Sequence, residues 1–203
     1  FLSTRPNEQI YNNSTERTKV IYVGSLAGLV PGGPGHSHQS VRDISALAAM
    51  PGMILVEPCT EVEVEAVVDF CVNRTTESAY IRLVTVPCKV PFELPAAYRP
   101  AAGKGVALTE GRDAILFGYG PVLLSEAIRA AQLLAEDGIG LRVVNLPWLN
   151  RVDRAWLAEA VAGHRRVFTL DNHYVTGVQG QMIAAALAEL APRGLEGVTL
   201  LGV

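Results

Sequence analysis

Gly32-Gly33-Pro34-Gly35-His36-Ser37-His38-Gln39-Ser40 lies between two patterned stretches. Before it runs Lys19-Val20-Ile21-Tyr22-Val23-Gly24, and after it Val41-Arg42-Asp43-Ile44-Ser45-Ala46-Leu47-Ala48-Ala49-Met50. The first run reads as a buried strand. The second repeats apolar residues at helical spacing behind Ser40, the expected N-cap. A Gly/Pro loop between a strand's carboxyl end and a helix's amino end is where open α/β sheets hold ligands. Two imidazoles there can donate, accept or shuttle protons near neutral pH. The competing reading is a solvent-facing turn, since Gly and Pro mark turns whatever their use.

Working outward, Asn7 to Asn12 has helical character behind Pro6. Downstream, Pro51-Gly52 turns the chain into a short buried strand, Met53 to Glu57, ended by Pro58. Thr60 with Glu63 three residues on predicts a capping box. Val64, Val67, Val68 and Cys71 then form one apolar helix face. Ala79 to Leu83 is the next strand. This β-α-β-α-β alternation predicts a parallel sheet.

From Val86 to Gly111 four prolines (87, 91, 95 and 100) stiffen the chain, which reads as a semi-rigid connector. A second α/β run follows. The expected strands are 114–120, 141–145, 166–170 and 198–203, and the expected helices 121–136, 152–162 and 180–190. Pro121 opens the first helix at N1, Leu124, Ile128, Ala131 and Ala135 form its inner face, and Gly138 closes it. Gly118-Tyr119-Gly120 lacks the third glycine and the acidic ribose partner of a dinucleotide site, so close helix–strand packing is the expected use. The expectation is therefore an α/β chain of two small three-layer domains with mainly parallel sheets: 1–86, incomplete at its amino end, a linker over 87–111, and 112–203.

At 203 residues and 49% hydrophobic content, the chain has enough apolar mass for a sizeable core. Charged residues, at 18%, fall below the usual ~25%. A net charge of −3 gives no reason to expect nucleic acid or an anionic membrane as partner. No apolar run approaches the ~18 residues of a membrane span. Cys59, Cys71 and Cys88 are odd in number and lack metal-ligand spacing, which points to a reducing cytoplasm and no metal site. Phe1 is not a Met start, and the chain stops on a strand-like run. A fragment, or one subunit of a split protein, is the expectation.

Several motifs together resemble the carboxyl-terminal half of transketolase. Phe1 to Ile10 is similar to the family's Phe-x-x-Arg-Ala-Phe-Asp-Gln-Ile helix. The 32–40 loop is similar to Asp-Gly-Pro-x-His-Gln, and Ala48-Met50-Pro51-Gly52 to the following Arg-x-Ile-Pro-Gly turn. Val56 to Thr60 sits where Pro-Ala/Ser-Asp is usual. Gly111 to Gly120 resembles a Gly-x-Asp strand, and Thr169 to Tyr174 with Gly177 and Gly180 resembles Thr-Val-Glu-Asp-His-Tyr with its glycines. The resemblance covers essentially the whole chain.

It implies thiamine-diphosphate chemistry, in which a ketose is cleaved and a two-carbon ketol passes to an aldose, with a dimer holding the cofactor between subunits. It also implies a loop histidine that contacts the substrate's hydroxyl and carbonyl oxygens. Counting back from Gln39-Ser40 gives His38, and counting forward from Gly33-Pro34 gives His36; His38 is preferred. The cofactor-activating glutamate and the site for diphosphate and Mg²⁺ belong to an amino-terminal part outside these residues. The family's substrate-phosphate arginine falls at Thr85, which cannot bind phosphate bidentately, so a sugar or a sugar phosphate remains open as substrate. Arg82 reads as a sheet residue and Gly177-Val178 as a changed Gly-Gly turn. His173, beside Asp171, is either a polarised functional imidazole or, preferably, a residue packing one domain against a partner. His164 reads as a solvated helix end.

The leading expectation is a partial transketolase-type enzyme, inactive until joined by an amino-terminal part or subunit as a homodimer or heterotetramer. Within the same cofactor class, the alternatives are the beta subunit of a 2-oxoacid dehydrogenase and a 1-deoxyxylulose-phosphate synthase fragment. Asp171-Asn172-His173-Tyr174 favours transketolase over both. Outside it, a non-catalytic assembly subunit keeps the fold without the chemistry.

Overall fold

The computed structural model describes residues 2–33 and 35–203. Phe1 of the first helix motif and Pro34 of the loop motif lie outside the described residues. In chain order the elements are α1 (Asn7–Thr15), β1 (Ile21–Gly24), α2 (Asp43–Ala48), β2 (Met53–Val56), α3 (Glu61–Asp69, continued by a π-helical turn, Phe70–Arg74) and β3 (Ser78–Arg82). Then come β4 (Val106–Ala107), β5 (Ala114–Gly118), α4 (Pro121–Glu136), β6 (Leu141–Asn145), α5 (Arg154–Val161), β7 (Arg166–Leu170), α6 (Gln179–Leu190) and β8 (Gly197–Leu201).

The first sheet has the order β1-β3-β2 and the second β4-β6-β5-β7-β8. Every pairing is parallel except the short β4 against β6. The chemistry of the strands follows their place. β2, β3 and β5 are buried at every residue, as parallel strands covered on both faces must be. β8, at a sheet edge, alternates exposed and half-buried residues.

α4 begins at Pro121, buries Leu124, Ala127, Ile128 and Ala131, and ends before Gly138 at φ 75°. Ala135, expected on its inner face, is exposed. Two other expectations fail for identifiable reasons. Ser40 does not cap α2, which starts at Asp43 with no side-chain cap, because Ser40 is paired with Gly28 through both backbone groups (3.1 and 2.9 Å). Thr60 does cap α3, accepting from Glu63 N–H at 3.1 Å. The inner face of α3, however, runs through Glu63, Val67 and Cys71, and Val68 is exposed. Glu63 turns the helix that way because its carboxylate accepts from Cys59 N–H (2.7 Å), Tyr98 OH (2.8 Å) and Asn145 Nδ2 (2.8 Å).

The stretch expected as a spacer is packed along the second sheet. Phe92 and Leu94 lie against the Leu116–Leu124–Val143 cluster, and Lys104 O accepts from Trp148 Nε1 at 3.0 Å. The two sheets share one apolar core. Ile54, Val56 and Ile81 of the first pack with Ile115, Phe117 and Val144 of the second, around the fully buried Trp148. Residues 147–150 cover the free edge of β2. Glu57 N–H donates to Pro147 O (2.9 Å), Leu149 N–H to Leu55 O (2.8 Å), and the Asn150 amide bonds Leu55 N–H (3.0 Å) and Met53 O (2.8 Å). All three cysteines are free, with Cys59 and Cys71 buried in this packing.

Candidate active site at the carboxyl edge of the first sheet

β1, β2 and β3 are parallel, so their carboxyl ends meet along one edge. The segment after β1 carries the histidine loop, the residue after β2 is Glu57, and the last residue of β3 is Arg82. Arg82 is fully buried and all five of its N–H donors are used. Nε and one terminal nitrogen reach the Asp43 carboxylate (2.8 and 3.2 Å). The other terminal nitrogen bonds both Glu57 Oε2 and Asn172 Oδ1, and the last N–H goes to Ser40 O. Tyr80 OH donates to Asp43 Oδ2 at 2.9 Å.

The two carboxylates respond differently to the same cation. Burial works to raise Asp43, but the Arg82 charge and the hydrogen bonds from Arg82, Tyr80 and Ser40 hold it below the ordinary range. Burial raises Glu57 and wins, helped by the nearby Asp43 charge. Asp171, at the end of β7, is also buried; its Oδ2 accepts from Gly180 N–H (3.2 Å) and its Oδ1 has no partner. Burial pushes this carboxyl up to about 7 against the pull of the Tyr119 hydroxyl, the Gly180 N–H and the Arg82 charge. Gly120 lets the second sheet come this close: at φ 70°, a Cβ there would fall 2.0 Å from Glu57 Oε1.

The loop rises from this base. Its feet are the Gly28–Ser40 pair, braced by Gln39 Nε2 donating to Leu29 O at 3.0 Å. A tight turn carries His38 N–H to Gly35 O at 3.0 Å. His36 and His38, the two expected catalytic residues, are both exposed on this turn, and Ser37 Oγ lies 3.0 Å from His38 Nδ1. Beside the same edge, a cavity of about 700 Å³ opens at Thr85, Cys59 and Phe92. Among the described residues its charged lining is Glu61 and Glu93, with no Lys, Arg or His.

The other histidines have structural surroundings. His173 is fully buried; Nδ1 faces Tyr174 O at 2.7 Å and Nε2 accepts from Ser45 N–H at 3.4 Å, which fixes a neutral ring with its proton on Nδ1. Burial lowers its pKa. It ties the turn after β7 to α2 within the chain, whereas the sequence reading has it pack one domain against a partner. His164 corrects its expectation: it is buried, with Nε2 3.2 Å from Gly111 O. The Arg82–Asp43–Glu57–Asn172 cluster was missed. A signal for it was present, because two apolar strand runs end in charges of opposite sign, Glu57 and Arg82, at the same edge.

Residues 1–85 match the family model of the transketolase pyrimidine binding domain, and residues 103–200 that of the transketolase C-terminal domain. The chain belongs to the transketolase family. It is 33% identical over 180 residues to a putative uncharacterized transketolase family protein, y4mN, of Sinorhizobium fredii, covering 88% of this chain and 51% of that protein. It is 28% identical over 193 residues to the 1-deoxy-D-xylulose-5-phosphate synthase of Trichormus variabilis, covering 93% of this chain and 30% of that enzyme. The chain thus spans about half the length of the first relative and under a third of the second. Among solved structures it is similar to a split gene transketolase described as an inactive beta4 tetramer, with TM-score 0.74 and 28% identity, covering 91% of this chain and 56% of that one. Campylobacter jejuni transketolase shares the fold at TM-score 0.73 and 15% identity, covering 97% of this chain and 28% of that one.

Proposed function

We propose that this chain supplies the substrate-facing wall of a thiamine-diphosphate-dependent transketolase-type enzyme, completed by an amino-terminal part or subunit. The observation that carries this reading is the histidine loop, held by a buried charge cluster at the carboxyl edge of a transketolase-type sheet. Transketolase-family proteins use thiamine diphosphate. The residues described here do not fit its diphosphate or a divalent cation. Arg82 has no donor to spare, and no group of three His, Cys, Asp or Glu is placed to hold a metal among the described residues. Those contacts fall to the partner part, in a homodimeric or heterotetrameric assembly.

In this reading the 1–86 region carries the site and the 112–203 region braces it across the 87–111 linker. The role of the chain is to bind and orient a sugar and to hold or move a proton at its oxygens. His38, with His36 as the alternative, hydrogen-bonds the substrate hydroxyl and carbonyl oxygens, since an imidazole offers two ring nitrogens for such contacts. The transfer is that of a two-carbon ketol unit between sugars. The cation-free cavity at Thr85 supports a substrate whose phosphate, if it has one, is held elsewhere.

The test is calorimetric binding of thiamine diphosphate with Mg²⁺, first to this chain alone and then with a matching amino-terminal subunit. Binding is expected only in the mixture. Ketol transfer by that mixture should fall by roughly 10²–10⁴ in His38→Ala. A mixture that binds no cofactor sinks the reading in favour of an assembly subunit. The synthase relatives favour one alternative, formation of 1-deoxyxylulose 5-phosphate. Appearance of that product, without ketol transfer from a ketose to an aldose, would establish it.

A further inference from the structure

Both feet of the histidine loop lead to one guanidinium. At the outgoing foot, Ser40 O accepts from Arg82, and three residues later Asp43 takes two more of its N–H groups. At the incoming foot, Gly28 lies flat against Asn172: at φ 73°, a Cβ there would come within 2.8 Å of Asn172 Cγ. The Oδ1 of that same Asn172 accepts from Arg82. Just beyond the loop, Val41 O accepts from Tyr174 N–H (3.0 Å) and Ser45 N–H reaches His173 Nε2. The turn 171–174 of the second sheet therefore touches the incoming foot, Val41 next to the outgoing foot, and the first turn of α2.

We propose that Arg82 and Asn172 form a positioning clamp that sets where His36 and His38 stand, and that the turn after β7 controls the loop through it. Arg82 is not a substrate-binding arginine, because burial and full use of its donors leave nothing to offer a ligand. Lysine cannot replace it, since an ammonium has three donors and no planar fork with which to hold Ser40 O, Asp43, Glu57 and Asn172 at once. The clamp joins two elements from different sheets to one loop, a contiguous network of the kind that carries coupling between distant positions. Its catalytic consequence rests on the function proposed above, whereas the clamp itself does not.

Two variants test it while keeping the buried charges balanced: Asn172→Ala removes the brace, and Gly28→Ala displaces it from the loop side. Asn150→Ala serves as control, because it breaks contacts between the sheets without touching the loop. Backbone hydrogen exchange on the chain alone is expected to speed up by about tenfold over residues 25–42 in both test variants, relative to β3. In the control that ratio should stay unchanged. Loop exchange unchanged in both test variants, or accelerated equally throughout β1–β3, overturns the clamp whatever the assembled enzyme does. In the assembled enzyme kcat/KM should fall by roughly 10–100-fold through kcat, with cofactor affinity unchanged, because a displaced catalytic group weakens the transition state more than binding. An unchanged kcat/KM in the presence of a loosened loop would sink the catalytic role alone.

Discussion

Three carboxylates and one guanidinium come together where β2, β3 and β7 end. Asp43 is held ionised by Arg82, but Asp171 is buried with one oxygen unpartnered and titrates near 7. An unfolded aspartate titrates near ~3.9, so between about pH 4 and 7 the folded chain holds a proton that the unfolded chain has lost. Stability therefore falls as pH rises through that window, by on the order of 1 kcal/mol per unit, and levels off above it. Asp171→Asn removes this slope and leaves the same-signed contribution of Glu57 and the opposite one of His173, whose pKa burial lowers. Urea unfolding at pH 5 and pH 8 should show a clear loss for the wild type and a distinctly smaller one for the variant. Equal losses would mean that Asp171 is ionised throughout. Asp171 and His173 stand out in the sequence as polar residues one position apart, on either side of Asn172, after a strand. Their meeting with Arg82 is not legible there, because it depends on the distance between two sheets.

At the scale of elements, the exact limits of α4, β6 and β7 were readable because apolar period, Pro121 and Gly138 agree. The start of α2 was not, because the backbone of Ser40 is spent on Gly28, a pairing across a twelve-residue interval that no local rule reports. The same holds for residues 147–150, which read as a bend and serve as a short strip along β2. Asn150 imitates a neighbouring strand by accepting from Leu55 N–H and donating to Met53 O. Asn150→Ala leaves both backbone groups unpaired at a covered edge, at a cost of ~1–3 kcal/mol. A lowered denaturant midpoint with an unchanged slope would report that loss. No change would mean that water replaces the amide.

For the whole molecule, the family regions 1–85 and 103–200 are separate as sequence, yet their buried side chains form one cluster around Trp148. Two sheets that share a core and a β2 edge strip cannot lose one half without exposing the other. Thermal unfolding of the chain is expected as one transition, with calorimetric and van't Hoff enthalpies equal. Two resolved peaks would contradict it. The sequence showed two α/β runs and a proline-rich join, which suggested independent halves. What it hid is that the join is packed down, by Phe92, Leu94 and the Lys104 carbonyl.

The buried thiols give this chain a built-in stopwatch. Cys59 lies just before α3 and Cys71 on its inner face, and burial pushes Cys71 up to about 11 and Cys59 higher still. A thiol that is both covered and protonated is inert to alkylating reagents. Capture of Cys71 by iodoacetamide then reports openings of the shared core without any added dye or engineered probe, and at reagent concentrations where alkylation outpaces reclosing its rate times the folded half-life of the chain.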